Sequence, residues 1–220
     1  MIKQGSDAWF QERLGKVTAS RVADVIAKTR SGWGASRANY MAQLVAERLT
    51  GSVADSYTNA AMQHGIDTEP LARSTYEFFT NNTVELASFV PHHSIAETGA
   101  SPDGLVGIDG LVEFKCPQTA SHIDTLLSGT VPGKYQTQIA WQLACTGRKW
   151  ADFVSFDPRM PASMNMFVKR IHRDDDVIAQ LEKDVSEFLA ELRDTVHQLR
   201  QKYDPDTTEL PEAARMMMAG

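Results

Sequence analysis

The stretch Ala100–Pro117 restricts the fold more than any other part of the chain. Gly104-Leu105-Val106 and Leu111-Val112-Glu113-Phe114-Lys115 are apolar, strand-like runs, and Asp109-Gly110 between them is a hairpin signal. The spacing predicts two antiparallel strands within a sheet. Residues i and i+2 of a strand share a face, so Glu113 and Lys115 project together. The turn folds the second strand back along the first and brings Asp103 near Glu113. Two carboxylates and an ammonium then converge at one sheet edge.

Such a cluster is costly, because two anions repel. A divalent cation removes that cost, and Asp and Glu oxygens suit Mg²⁺ or Mn²⁺. A hydrated metal supplies a water nucleophile and stabilises a leaving oxygen. Lys115 could orient or deprotonate that water, or offset phosphoryl charge. The same residues also read as plain structure. Ser-Pro-Asp-Gly is a good β-turn, and Val-Glu-Phe-Lys is an amphipathic strand with a salt-bridged outer face. Glu69, on a helical segment upstream, is either a helix-terminal carboxylate or an outer acid that holds metal-bound water.

The rest of the chain predicts helices around this sheet. Ser6 or Asp7 caps a short helix, 8–14, and a second runs over 21–27. Residues 29–36, TRSGWGAS, read as a Gly/Ser loop carrying Arg30 and Trp33. Helices follow at 38–49 and 60–80, the latter kinked or split at Pro70. Strands are expected at 83–90, 94–96, 150–156 and 164–171, and helices at 119–128 and 134–146. In 174–202, Val177, Leu181, Val185, Phe188, Leu192, Val196 and Leu199 recur at steps of three and four, the clearest helical signal. Asp174–Asp176 sit at its positive end. The fold class is α/β (α+β mixed), with a central mixed sheet flanked by helices. One domain is expected over 1–203: an N-terminal helical part (1–60), a core (61–172) and a C-terminal helix (173–203). A flexible tail, 204–220, follows.

Composition excludes several classes. No run of about 18 apolar residues exists, so no membrane span is expected, and the N-terminus carries no apolar signal stretch. Cys116 and Cys145 cannot build a disulfide framework, a four-thiolate metal site or an iron–sulfur cluster. They fit a reducing cytoplasm. The net charge of −6, taken as a whole-chain sum, argues against a nucleic-acid partner. Residues 1–48, however, carry eight basic and four acidic side chains, whereas 49–150 carry five and ten. The acidity belongs to the middle and the C-terminal third.

Further residues fall in a characteristic order: Ala8-Trp9, Arg13-Leu14-Gly15, Thr18-Ala19-Ser20, Val25–Lys28, Gly65, Glu69, Ser101–Leu105, Glu113–Pro117, Tyr135, Gln138 and Asp157–Met160. With these blocks the chain resembles the lambda-type phage exonucleases, the viral recombinase or alkaline exonuclease family, within the PD-(D/E)xK nuclease superfamily. The resemblance runs from Trp9 to about Met166. It implies a Mg²⁺-dependent enzyme, with Mn²⁺ as substitute. Such an enzyme processively digests the 5′-ended strand of linear duplex DNA and leaves a 3′ strand for recombination. It implies Asp103, Glu113 and the Phe114 carbonyl as metal ligands, Lys115 as the catalytic lysine and Glu69 as a supporting acid. Arg13, Ser20, Ser101 and Gln138 match a 5′-phosphate pocket, and Arg30 a basic residue near the duplex. Trp33, in the same loop as Arg30, reads either as a residue that wedges or stacks against the DNA end or as an ordinary packed tryptophan. A homotrimeric ring, a phage-encoded origin, a host-cytoplasm location and a single-strand annealing protein as partner are implied in the same way. The competing readings are an endonuclease of repair or restriction type on the same core, and a DNA-end-binding recombination protein without catalysis.

Overall fold

The structure, a computed structural model, describes residues 4–30, 32–53 and 60–204. The expected tail beyond 204 lies outside them. In chain order the elements are α1 (Asp7–Arg13), β1 (Val17–Thr18), a 3₁₀ turn (Ala19–Arg21), α2 (Val22–Val25), β2 (Lys28–Thr29), β3 (Gly32–Trp33) and α3 (Ala35–Thr50). Next come α4 (Ala60–Thr80), β4 (Val84–Glu85), β5 (Val90–Pro91), β6 (Thr98–Ala100), β7 (Gly104–Val106) and β8 (Gly110–Lys115). The chain continues with α5 (Thr119–Ser128), α6 (Gly133–Thr146), β9 (Trp150–Phe156), β10 (Met166–His172) and α7 (Asp175–Tyr203).

The central sheet has the order β10-β9-β8-β7-β4. It is mixed: β8 and β9 run parallel, and the other neighbours antiparallel. Alternation along β8 and β9 sorts their side chains between two layers. Val112, Phe114, Val154 and Phe156 pack with Ala72 and Tyr76 of α4. Leu111, Ala151 and Phe153 pack with Ile139, Leu143 and Ala144 of α6. A separate core joins the N-terminal elements to α6 and α7 through Val22, Tyr40, Leu44, Trp141, Val185, Phe188 and Leu192. The expected N-terminal part and C-terminal helix therefore share one apolar interior.

Several sequence expectations need correction. Lys28–Thr29 and Gly32–Trp33 pair as two antiparallel strands, with Lys28 opposite Trp33, within the segment 29–36 expected as a loop. The helix at 21–27 shrinks to a 3₁₀ turn plus one α turn, and β4, β5 and β6 replace strands at 83–90 and 94–96. Helix α4 continues through Pro70 as one element. The β7–β8 hairpin forms, but its turn is Gly107–Asp109, and Gly110 opens β8 opposite Val106. The Trp150 ring lies 2.1 Å from where a Cβ on Gly110 would stand. Glycine is required there for close packing, and it is Gly107, at φ +55, that makes the turn. No helix among the described residues is long and apolar enough to cross a membrane.

Candidate active site

The pairing of β7 with β8 stops at Gly104 opposite Val112. Beyond it Phe114 has no β7 partner, and its backbone N–H donates to Oδ2 of Asp103 at 2.7 Å. A carboxylate thus takes the place of the strand that has ended. The N–H and C=O of one strand residue face the same edge, so the Phe114 carbonyl belongs to this edge too.

Glu113 lies on the α6 side of the sheet and is only 1% exposed. Its Oε1 accepts from Gln138 Nε2 at 2.6 Å and from the Lys115 ammonium. Its Oε2 accepts from Gln142 Nε2 at 2.5 Å. Gln138 and Gln142 reach it together because i and i+4 share a helix face. The carboxylate is therefore fully solvated by protein donors, which is what permits its burial.

Glu69 comes from α4, on the other layer, and accepts from Arg73 at 3.1 Å. Burial and then the Glu113 charge hold the Asp103 carboxyl well above its ordinary range, against the pull of Lys115. Burial also raises Glu69, with Arg73 opposing and Glu113 adding to the rise. Burial alone would lower Lys115, but Glu113 and Asp103 outweigh it and hold the ammonium charged. Cys116 is pushed up to about 12, chiefly by burial, with Glu69 and Asp103 adding to it. It is an unreactive thiol beside the site.

Among the described residues, no three His, Cys, Asp or Glu side chains are already assembled as a metal cage. The donor set still fits a hard divalent cation. Asp103 and Glu69 are acids whose ionisation is disfavoured where they stand, and a cation would relieve both. Asp103, Glu113 and the Phe114 carbonyl would hold it, and when bound it would supply an activated water and charge for the leaving oxygen.

The expected phosphate pocket is assembled in part. Trp9 Nε1 and Arg13 donate to the Ser101 hydroxyl at 3.1 and 3.3 Å, and the Arg13 guanidinium lies 3.8 Å from the Trp9 ring centroid. Burial pulls Arg13 down to about 10, with Tyr40 and Glu47 opposing, so it remains a cation near neutrality. Ser20 is exposed, 3.5 Å from the Thr18 hydroxyl. Gln138 is buried and donates to Glu113. Arg30 is exposed at the bend of the β2–β3 hairpin. Trp33 on the same hairpin is half exposed, with Lys28 Nζ 4.9 Å and the Arg37 guanidinium 4.1 Å from its ring centroid.

Two residues of this site were not singled out as functional from the sequence. Gln142 has a visible signal, since Gln138 and Gln142 are the only glutamines four apart on the helix facing β8. Trp9 stands in one of the blocks that carry the resemblance, but its bond to Ser101 has no local signal, because the two are distant in sequence.

A central mixed sheet, with two acids and a lysine where its hairpin strand ends, defines a restriction-endonuclease-like core of the PD-(D/E)xK type. The sequence profile of the YqaJ-like viral recombinase domain matches residues 8–149. The chain belongs to that family. It is 50% identical to an alkaline exonuclease, LHK-Exo, from Laribacter hongkongensis, whose structure matches with a TM-score of 0.84 over 90% of this chain and 97% of that one. The same enzyme in complex with dAMP matches at 0.85, with the same identity and coverage. A phage-related exonuclease from Haemophilus somnus 129PT shares the fold, with a TM-score of 0.66 at 15% identity over 84% and 96% of the two chains. No protein of curated function matches the sequence.

Proposed function

We propose that the protein is a Mg²⁺-dependent exonuclease that digests the 5′-ended strand of linear double-stranded DNA and leaves a 3′ single strand for annealing-type recombination. One arrangement carries the reading. A half-buried arginine, Arg13, donates to the hydroxyl of Ser101, which lies two residues in sequence from the acid Asp103 at the head of the β7–β8 hairpin. An Arg fork binds a terminal phosphate bidentately. Asp103, two residues beyond Ser101, with Glu113 and Lys115 on the paired strand, would then act on the next phosphodiester. Lys115, held charged, would offset phosphoryl charge and orient the attacking water. The 50% identical relative that was solved with dAMP supports the reading, because a 5′-mononucleotide is the product such an enzyme releases.

A homotrimeric ring, Mn²⁺ as a substitute metal, a single-strand annealing protein as recipient of the 3′ strand and a bacterial-cytoplasm setting belong to the same proposal. The test compares linear 5′-phosphorylated duplex with closed circular duplex, each with Mg²⁺ and with chelator. Release of mononucleotides from the linear form alone, and only with Mg²⁺, is expected. Rapid cutting of circles would favour an endonuclease instead.

A further inference from the structure

Helix α3 packs on the segment that carries Arg13 and Ser20. Tyr40, Gln43 and Glu47 stand three and four residues apart, so they share one face of the helix. The Tyr40 hydroxyl donates to the Lys16 carbonyl at 3.3 Å and accepts from the Thr18 N–H at 3.2 Å. The buried Glu47 accepts from the Gly15 N–H at 2.9 Å, and Arg48 beside it donates to the Gly15 carbonyl at 2.9 Å. Gly15 stands at φ +65, and a Cβ there would lie 2.9 Å from Arg48 Cγ. The turn that follows Arg13 is thus gripped on both sides of Gly15. The helix that grips it is itself fixed. Leu44 and Val45 pack in the core shared with α7, and the Tyr40 ring stacks on Phe188, with centroids 5.9 Å apart.

One chain of hydrogen bonds runs from the Arg13 turn to the neighbour of Ser20. Gly15 donates to Glu47 Oε2, Gln43 Nε2 donates to Glu47 Oε1 at 2.8 Å, and Arg21 donates to Gln43 Oε1 at 3.0 Å. Asp24 holds Arg21 at 2.5 Å.

The direction of this chain is determined at both ends. A peptide N–H and a guanidinium only donate. Glu47 must therefore accept twice, and Gln43 must turn its oxygen to Arg21. An amide at position 47 could not do this. Accepting from Gly15, it would offer its NH₂ to Gln43, which would have to flip and face Arg21 with its own NH₂. Both donors to Glu47 are neutral, so its buried charge is a cost to the fold. That charge is felt at Arg13, where it joins Tyr40 in opposing the effect of burial.

We propose that Glu47 is a positioning residue for the 5′-phosphate pocket. Through Gly15 on one side and Gln43 and Arg21 on the other, it holds Arg13 and Ser20 in register and so sets the preference for a phosphorylated end. The assignment rests on the exonuclease reading above.

The test measures KM and kcat for the first cut on linear duplexes with 5′-phosphate or 5′-hydroxyl ends, in Mg²⁺. Glu47→Gln should raise KM on phosphorylated ends about tenfold, within the range of coupling inside one hydrogen-bond network. Its kcat, and its KM on hydroxyl ends, should stay at the wild-type values. Gln43→Glu alone sets two carboxylates against each other and should raise the same KM. The two substitutions together should return it to the wild-type value, because the relocated carboxylate accepts from both the amide and Arg21. Wild-type KM in Glu47→Gln, an equal rise on both kinds of end, or a double variant no better than Gln43→Glu would overturn the role of Glu47 alone. If Glu47→Gln does not fold, Gln43→Glu against the double variant gives the same decision. No preference for phosphorylated ends in wild type would overturn the 5′-phosphate reading and the role of Glu47 with it.

Discussion

Gln142, fully buried on α6, donates from Nε2 to Oε2 of Glu113 at 2.5 Å, while its own Oε1 is buried without a protein partner. An amide facing a carboxylate must present its NH₂, so the unpaired oxygen is the consequence of serving Glu113. Gln142→Leu should weaken Mg²⁺ binding by about ten- to a hundredfold, the usual effect of losing a residue that orients a ligand. Calorimetric titration of wild type and variant checks this. Unchanged affinity would mean that Gln138 and Lys115 suffice to hold Glu113.

Asp103 carries a cost that its function explains. Its folded-state pKa lies above the ordinary carboxylate value, so its contribution to stability is present at low pH and is lost as pH rises through that raised value. Above its unfolded-state value the Asp103 carboxyl therefore costs the metal-free protein stability. Asp103→Asn keeps an acceptor for the Phe114 N–H and removes the charge. It should raise the melting temperature in chelator by roughly 2–4 °C, the shift that about 1 kcal/mol produces in a domain of this size, and abolish metal binding. A lower melting temperature would contradict the account.

Asp157 has the opposite sign. It is buried and accepts from Thr119 at 2.7 Å and from Arg159 Nε at 2.7 Å. Burial would raise its pKa, but the Arg159 and Thr119 hydrogen bonds outweigh that and bring it down to about 2. Its stabilisation is present above the unfolded value near 4 and is lost as pH falls through about 2. Asp157→Asn should cost about 1–2 kcal/mol at pH 7, allowing for water at the exposed Arg159. Denaturant midpoints of the two proteins should converge toward pH 2.

Lys115→Met removes the cation between Glu113 and Asp103 and should abolish nucleotide release. Binding of linear duplex in Ca²⁺ should persist, because Arg13 and the β2–β3 hairpin are untouched. Normal digestion by the variant would remove Lys115 from the chemistry.

The local chemistry of the site was legible where period and spacing determine it. Glu113 and Lys115 share a face because strands alternate, and the Gly104–Lys115 hairpin brings Asp103 to Phe114. The Val177–Leu199 stripe gives α7 its buried face. Features that depend on close approach in space were not legible. Gly110 looks like a turn residue until the Trp150 ring is seen against it. Arg30 and Trp33 look like loop residues until Lys28 pairs with Trp33. The bonds of Gln138 and Gln142 to Glu113 were not legible either, because they depend on how Trp141 and Ile139 seat α6 in two separate cores.

The most direct test of the account is the initial rate on linear duplexes with 5′-phosphate or 5′-hydroxyl ends, in Mg²⁺, for wild type and Arg13→Ala. Wild type should prefer the phosphorylated end by about ten- to a hundredfold, the worth of a charge-assisted contact of roughly 1.5–3 kcal/mol. Arg13→Ala should lose that preference by slowing on phosphorylated ends alone. Equal wild-type rates on the two ends, or a preference that survives in Arg13→Ala, would contradict it.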